Sequence, residues 1–453
     1  MSGAAGRTAG GLLPADATYG ALVASVADPL LRRRVGRAWW FGAAAAAALT
    51  LVLAVSIAWL FIEGVGVWGV NTSVVWGFAI ANYVWWIGIG NAGTLISSLL
   101  LLTRQGWRSS INRFAEAMTL FAAMIAGLFP ILHLGRPYLF YWLAPYPNSM
   151  DLWPQWRSAL VWDFWAILSY LLFSLMFWYL GLIPDLATLR DRAQGRWGQL
   201  IYGAMALGWQ GSARAWIRFE AAYKAMAALA VPLVVSVHSV VGLDFAASLM
   251  PGWQESIFPP YFVVGAMFSG FAMVVTLGVL IRWGLSLQNV ITVEHFDAMA
   301  KFLVFGALVL GASYATEWFI AWYSGEHAER TTVAYMFAGP YAPLYWVMLA
   351  CNVAIAQVFW FRRARRSIPL VFAVSILINI GMWLERILII WNTLSHGYLP
   401  SMRRLFQPTV WDWLLLAGSL GFFALLYLVF CRLLPVVSMH EVSRLQHEEG
   451  SGP

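Results

Sequence analysis

Four side chains suited to proton chemistry stand inside, or at the ends of, otherwise apolar runs: His133, Asp163, His238 and Asp244. Arg136 follows His133 in FPILHLGRPYLFYWLAPYP (129–147), where an apolar helix gives way to aromatics and prolines. Imidazole and carboxylate can act as general bases, with proton affinities tuned by partial burial. Aromatic walls stand beside them: Phe129, Tyr138, Phe140, Tyr141, Trp142, Trp162 and Trp165. A membrane-dissolved quinol fits that pattern. Its ring oxygens need a hydrogen-bond partner each, its oxidation releases two protons, and its ring and tail need apolar walls. A second group, Glu317, Glu385 and Arg386, lies in later apolar runs. A third, Glu116, Glu220, Lys224, Asp297 and Lys301, lies at the opposite ends of such runs and offers entry points for protons. Ionisable groups in apolar spans are costly and mark function by default.

Each residue also has a plainer reading. His133 and Arg136 could complement a helix C-terminal dipole. Asp163 could cap a helix, although ALVWD places it five residues into an apolar stretch. His133 with His238 is the one candidate pair for a haem, and Asp244 could be interfacial. Neighbours on a helix point about 100° apart, so Glu385 and Arg386 are each expected to find a partner elsewhere, in an ion pair or a proton path. GIGNAG (88–93) spells a nucleotide-loop pattern but follows no strand, so close helix packing explains it better.

The elements that must position these groups are membrane helices. Hydrophobic residues make up 61% of the 453 positions, charged residues 11%, and mean hydropathy is +0.70. A soluble domain carries about 25% charged residues. With roughly 20 apolar residues per crossing, ten spans are expected: 38–62, 75–102, 115–134, 158–182, 221–246, 260–282, 297–323, 340–361, 369–393 and 410–434. Nineteen arginines fall on one side of these spans, against Arg136, Arg157, Arg330, Arg403 and Arg404 on the other. The positive-inside rule then puts both termini in the cytoplasm. His133, Asp163, His238, Asp244, Glu317, Glu385 and Arg386 all fall towards the arginine-poor, outer side. Residues 1–37 read as a cytoplasmic tail rather than a signal peptide, 38–434 as one transmembrane domain, and 435–453 as a short cytoplasmic tail. The stretch 183–218 reads as interfacial and amphipathic. A faint repeat relates AEAMTLF (115–121) to FDAMAKF (296–302). It suggests two related four-helix bundles, about 75–246 and 260–393, with the first and last spans peripheral. The two cysteines, Cys351 and Cys431, are too few for an iron–sulfur cluster. The net charge of +7 reads as a topology signal rather than a nucleic-acid footprint.

The ten-span layout, HLGRPYLFYWL, the aromatic loop after it, WDFWA and the basic N-terminus resemble the NrfD/polysulfide-reductase membrane-subunit family. The likeness covers roughly residues 20–440 and is most specific over 76–165. Within the family it is nearest to the C subunit of bacterial alternative complex III. The resemblance implies menaquinol oxidation near the periplasmic face of the bacterial inner membrane, with His133 and Asp163 as the quinol-site pair and Arg136 beside them. It implies an iron–sulfur partner docked on that face, multihaem cytochrome c subunits, a paralogous membrane subunit, and no haem or iron–sulfur cluster in this chain. It also implies proton conduction through the bundles, for which Glu317, Glu385 and Arg386 are candidates. A secondary transporter stays open at this point, because Pro130 and Pro232 interrupt two spans and transporters use broken helices. So do a structural paralogue without a quinone site and a b-type cytochrome.

Overall fold

A computed structural model describes residues 12–13, 18–31, 36–146 and 153–450. Its regular structure is helical throughout. Hydrocarbon offers no partner for backbone N–H and C=O groups, so a chain this apolar satisfies them within helices. We number the helices α1 (Tyr19–Leu31), α2 (Arg37–Glu63), α3 (Phe78–Leu102), α4 (Asn112–Leu132), α5 (Ala159–Arg192), α6 (Arg196–Met205) and α7 (Ala213–Ala246). There follow α8 (Phe258–Gly284), α9 (Val293–Tyr323), α10 (His327–Ala338), α11 (Ala342–Trp360), α12 (Ile368–Ser395), α13 (Val410–Leu433) and α14 (Met439–Gly450). Ten are long and apolar enough to cross a membrane: α2, α3, α4, α5, α7, α8, α9, α11, α12 and α13. The chain is a multi-pass integral membrane protein.

Each expected span has its helix, but α5 and α7 are longer than their apolar runs. The run sets only the part that lies in hydrocarbon. Leu186, Ala187 and Leu189 stay buried, so packing carries α5 on to Arg192. The stretch read as interfacial is therefore the end of α5, the short α6 and the start of α7. Pro232 does not interrupt its span, since α7 is continuous through it. α4 bends at Gly127–Leu128, just ahead of Pro130.

The helices pack as two squares sharing a seam. α3, α4, α5 and α7 form the first, α8, α9, α11 and α12 the second, and α3 and α7 lie against α8 between them. α2 and α13 pair with each other beside α4. Of the most apolar stretch of α3, 89% is buried; for α2 the figure is 22%. α3 is the central post, and small residues let it stand so close to its neighbours. A Cβ on Gly93 would lie 2.0 Å from the Ala115 carbonyl oxygen on α4, and one on Gly270 of α8 would lie 1.7 Å from the Ala92 Cβ. That is the packing role read for GIGNAG.

α11 changes register in its middle, where Ala350–Ala354 forms a π-helical turn and Ile355–Trp360 tightens to 3-10 geometry. Such bulges re-aim one side chain. Here the buried one is Asn352. Part of the segment read as an N-terminal tail lies outside the described residues; Tyr19–Leu31 of it is α1. The segment read as a C-terminal tail instead forms α14, which packs against α1, α5 and the turn Gly106–Ser110.

Candidate functional site

At the arginine-poor end of the first square, four elements converge. His133 ends α4, Asp163 lies in the second turn of α5, and His238 and Asp244 lie on the last turns of α7. Tyr83, on α3, closes the group. Its ring meets the His133 ring edge-on at 6.1 Å, and its phenol faces the Asp163 carboxyl, which in turn faces Asp244. Asp163, Asp244, His238 and Tyr83 are all buried. Asn91 of α3 donates to His238 Nδ1, so a neutral ring carries its proton on Nε2.

The hydrogen-bond account of this cluster does not close. Tyr83 Oη, both ring nitrogens of His133, Asp163 Oδ1, Asp244 Oδ1 and His238 Nε2 are buried and have no hydrogen-bond partner. Buried polar atoms are paired in the great majority of cases, and each orphan costs about 1–3 kcal/mol. Six orphans in one place point to a ligand that presents both donors and acceptors. Trp76, Phe245 and Trp253 add an aromatic wall, with Trp76 5.8 Å and Phe245 4.9 Å from Trp253. Arg136, Tyr138 and Trp142 are not in the cluster: they are exposed on the segment that follows His133. They can line an approach, not the buried centre.

The second square holds a separate polar centre. Contrary to the expectation of separate partners, Arg386 Nη1 and Glu385 Oε1 are 3.0 Å apart. Neither atom has hydrogen-bond geometry, so the contact is one of charge. Glu385 also accepts from Tyr314 and, at 3.0 Å, from Asn352, the side chain re-aimed by the π turn. The Arg386 guanidinium lies 4.3 Å over the Phe262 ring. It is within electrostatic reach of His238, which links the two centres across the seam. Glu317 is half-buried and within reach of Glu385, Glu255 and Glu329. Glu255 is in the loop before α8. Burial first and the Glu329 charge second push its carboxyl up to about 7.

The charges at the arginine-rich end divide. Glu116 is buried, accepting from Ser97 at 2.5 Å and Tyr223 at 2.9 Å. Glu220 with Lys224 (3.7 Å) and Asp297 with Lys301 (2.9 Å) are instead i,i+4 pairs whose lysines are exposed. They are solvated helix faces rather than buried relay groups.

Tyr83, Asn91, Asn352 and Tyr314 do not stand out in the sequence. An asparagine between the glycines of GIGNAG, on a helix otherwise suited to tight packing, is the one readable signal.

Residues 66–395 match the profile of the family described as Polysulphide reductase, NrfD. The chain belongs to that family. It is also similar to the candidate C-type membrane subunit of a dimethyl sulfoxide reductase from Halobacterium salinarum, at 28% identity over 238 residues. That alignment spans 49% of this chain and half the length of the relative. The C subunit of a selenate reductase from Mesobacillus selenatarsenatis is 23% identical over 427 residues, covering 88% of this chain and 95% of the relative.

Proposed function

We propose that this NrfD-family chain is the quinol-oxidising membrane subunit of a multi-subunit redox complex. The observation that carries the reading is the group of orphaned, buried proton acceptors around Tyr83, His133, Asp163 and Asp244. A quinol placed there would donate one hydroxyl to His133 and the other to Asp163. Oxidation to quinone releases two protons and two electrons. His133 and Asp163 take the protons, and Asp244 and Tyr83 stand next in line to receive them. The electrons leave to an iron–sulfur cluster of a partner docked at the arginine-poor face, which is the periplasmic face of the inner membrane by the positive-inside rule.

The relatives support the coarser part of this reading, since both are named as C subunits of reductases and one as a membrane subunit. Menaquinol as the donor, the alternative complex III type of assembly with multihaem cytochromes and a paralogous subunit, and proton conduction past Glu317, Glu385 and Arg386 are its finer parts. A transporter is less well supported, because the helix carrying Pro232 is unbroken and the orphaned groups lie near one end of the bundle.

The test is menaquinol oxidation by the purified complex, comparing the parent with His133→Ala and Asp163→Asn at matched levels of every subunit. Loss of a general base lowers turnover by about 10²–10⁴-fold. Parent-like turnover in both variants would overturn the assignment.

A further inference from the structure

The arginine-rich end of the first square holds a cluster that the proposed quinol chemistry does not use. Arg113 is fully buried. Its Nη2 reaches the Gly181 carbonyl at 2.6 Å and Asp185 at 3.1 Å, and its Nη1 lies 3.4 Å from Glu116. Glu116 is held by Ser97 and Tyr223 as described. From Ser97 a polar stripe runs up α3 through Thr94, hydrogen-bonded to Ser174 at 3.4 Å, to Asn91 and its partner His238.

Below this cluster lies α14. Glu441 takes Arg108 in a bidentate pair, both contacts 2.6 Å, and accepts from Asn112 at 3.0 Å. Arg108 and Glu441 are 3% and 4% exposed. The His440 ring packs against Trp216 and Phe219, and its Nδ1 lies 3.4 Å from Asp185. On the other side of Glu441 is a cleft of about 290 Å³ lined by charged groups including Arg104, Lys224, Arg444 and Glu448. Arg108 and Glu441 line it too, so the pair separates the cleft from Glu116. Val437, Ser438, Met439, Val442 and Leu445 bury the rest of the segment.

We propose that α14 is a latch: the Glu441–Arg108 pair closes the cleft over the buried Glu116–Arg113–Asp185 cluster. Water and protons then reach Glu116 from the arginine-rich side only when Glu441 leaves Arg108. A bidentate carboxylate–guanidinium pair is a strong charged contact with one geometry. Its two partners come from segments 333 residues apart in sequence, so parting them moves α14 as a body. The latch does not depend on quinol binding at the opposite end.

Its test uses the full chain in membranes, with Cys351 and Cys431 changed to Ala and Ser97→Cys as reporter. A membrane-impermeant methanethiosulfonate is applied from the arginine-rich side. The latched protein is expected to label slowly. Glu441→Gln raises the rate at least about tenfold by favouring local opening, while Glu448→Gln, on the same helix, leaves it unchanged. Equal labelling of the Glu441→Gln and parent proteins overturns the latch. A charge exchange guards against simple misfolding. Arg108→Glu alone labels fast, and Arg108→Glu with Glu441→Arg regains protection; fast labelling of the double variant equally overturns the latch.

Discussion

Asp163 and Asp244 face one another in a buried site and each has an oxygen without a hydrogen-bond partner. The perturbation we consider is Asp→Asn at either position and at both. Asn keeps the shape and removes the ability to take a proton at neutral pH. No hydrogen bond to Asp163 Oδ1 or Asp244 Oδ1 is lost, so the exchange removes a buried charge without stranding a partner. Thermal stability is therefore expected to hold or rise in all three variants. Turnover behaves differently. A lost general base costs about 10²–10⁴-fold, or about 3–5 kcal/mol at about 1.4 kcal/mol per decade. If both carboxyls belong to one proton relay, the second substitution adds little to the first, as groups acting as a unit are not additive. The assay is a double-substitution cycle in quinol oxidation, with the melting temperature and the level of each subunit recorded for every variant. Two independent, additive losses would refute the shared relay. Loss of turnover in step with loss of subunits would refute the catalytic reading of either residue.

Three other outcomes follow from the packing and charges. Arg386→Met strands the buried Glu385 carboxylate and should destabilise by about 3–5 kcal/mol; adding Glu385→Gln should restore most of it in thermal unfolding, and no restoration would mean the pair is not what holds the two side chains. Glu255 is raised to about 7 in the fold from an ordinary 4.5, so its stabilising share is full below about pH 4.5 and disappears as pH rises through 7. Glu255→Gln should thus melt at a higher temperature than the parent at pH 8, with the gap closing towards pH 5; a pH-independent gap would contradict this. Gly93→Ala drives a Cβ into the α4 backbone and should cost about 1–3 kcal/mol or block folding, whereas Gly66→Ala, which meets open space, should be silent in the same melting assay.

What could be read from the residues depended on the physics behind each feature. The ten spans were legible because hydrocarbon thickness alone sets the apolar run, and Phe78–Leu102 or Val410–Leu433 differ from expectation by only a few residues. His133, Asp163, His238 and Asp244 were legible as a group because spans of alternating direction bring their ends to one side. Depth alone could not separate the buried Asp163 from the exposed Arg136, Tyr138 and Trp142, since that depends on where the loop folds. Tyr83 was hidden among the aromatics of α3. The Glu385–Arg386 contact eluded a helical-wheel argument because long side chains can bend towards each other across 100°. Glu220–Lys224 and Asp297–Lys301 carried their answer in the i,i+4 spacing. Glu441 gave no signal, since a polar helix declares itself only through the buried Arg108 it meets.

The most direct test of a quinol site in the first square is photolabelling of the intact complex with a photoreactive menaquinone analogue, followed by peptide mapping. Labels are expected within residues 76–91, 129–133, 159–170 and 238–253, competed away by unlabelled menaquinol. Competable labelling confined to the second square, around Tyr314, Asn352 and Glu385, or to another subunit, would contradict the site.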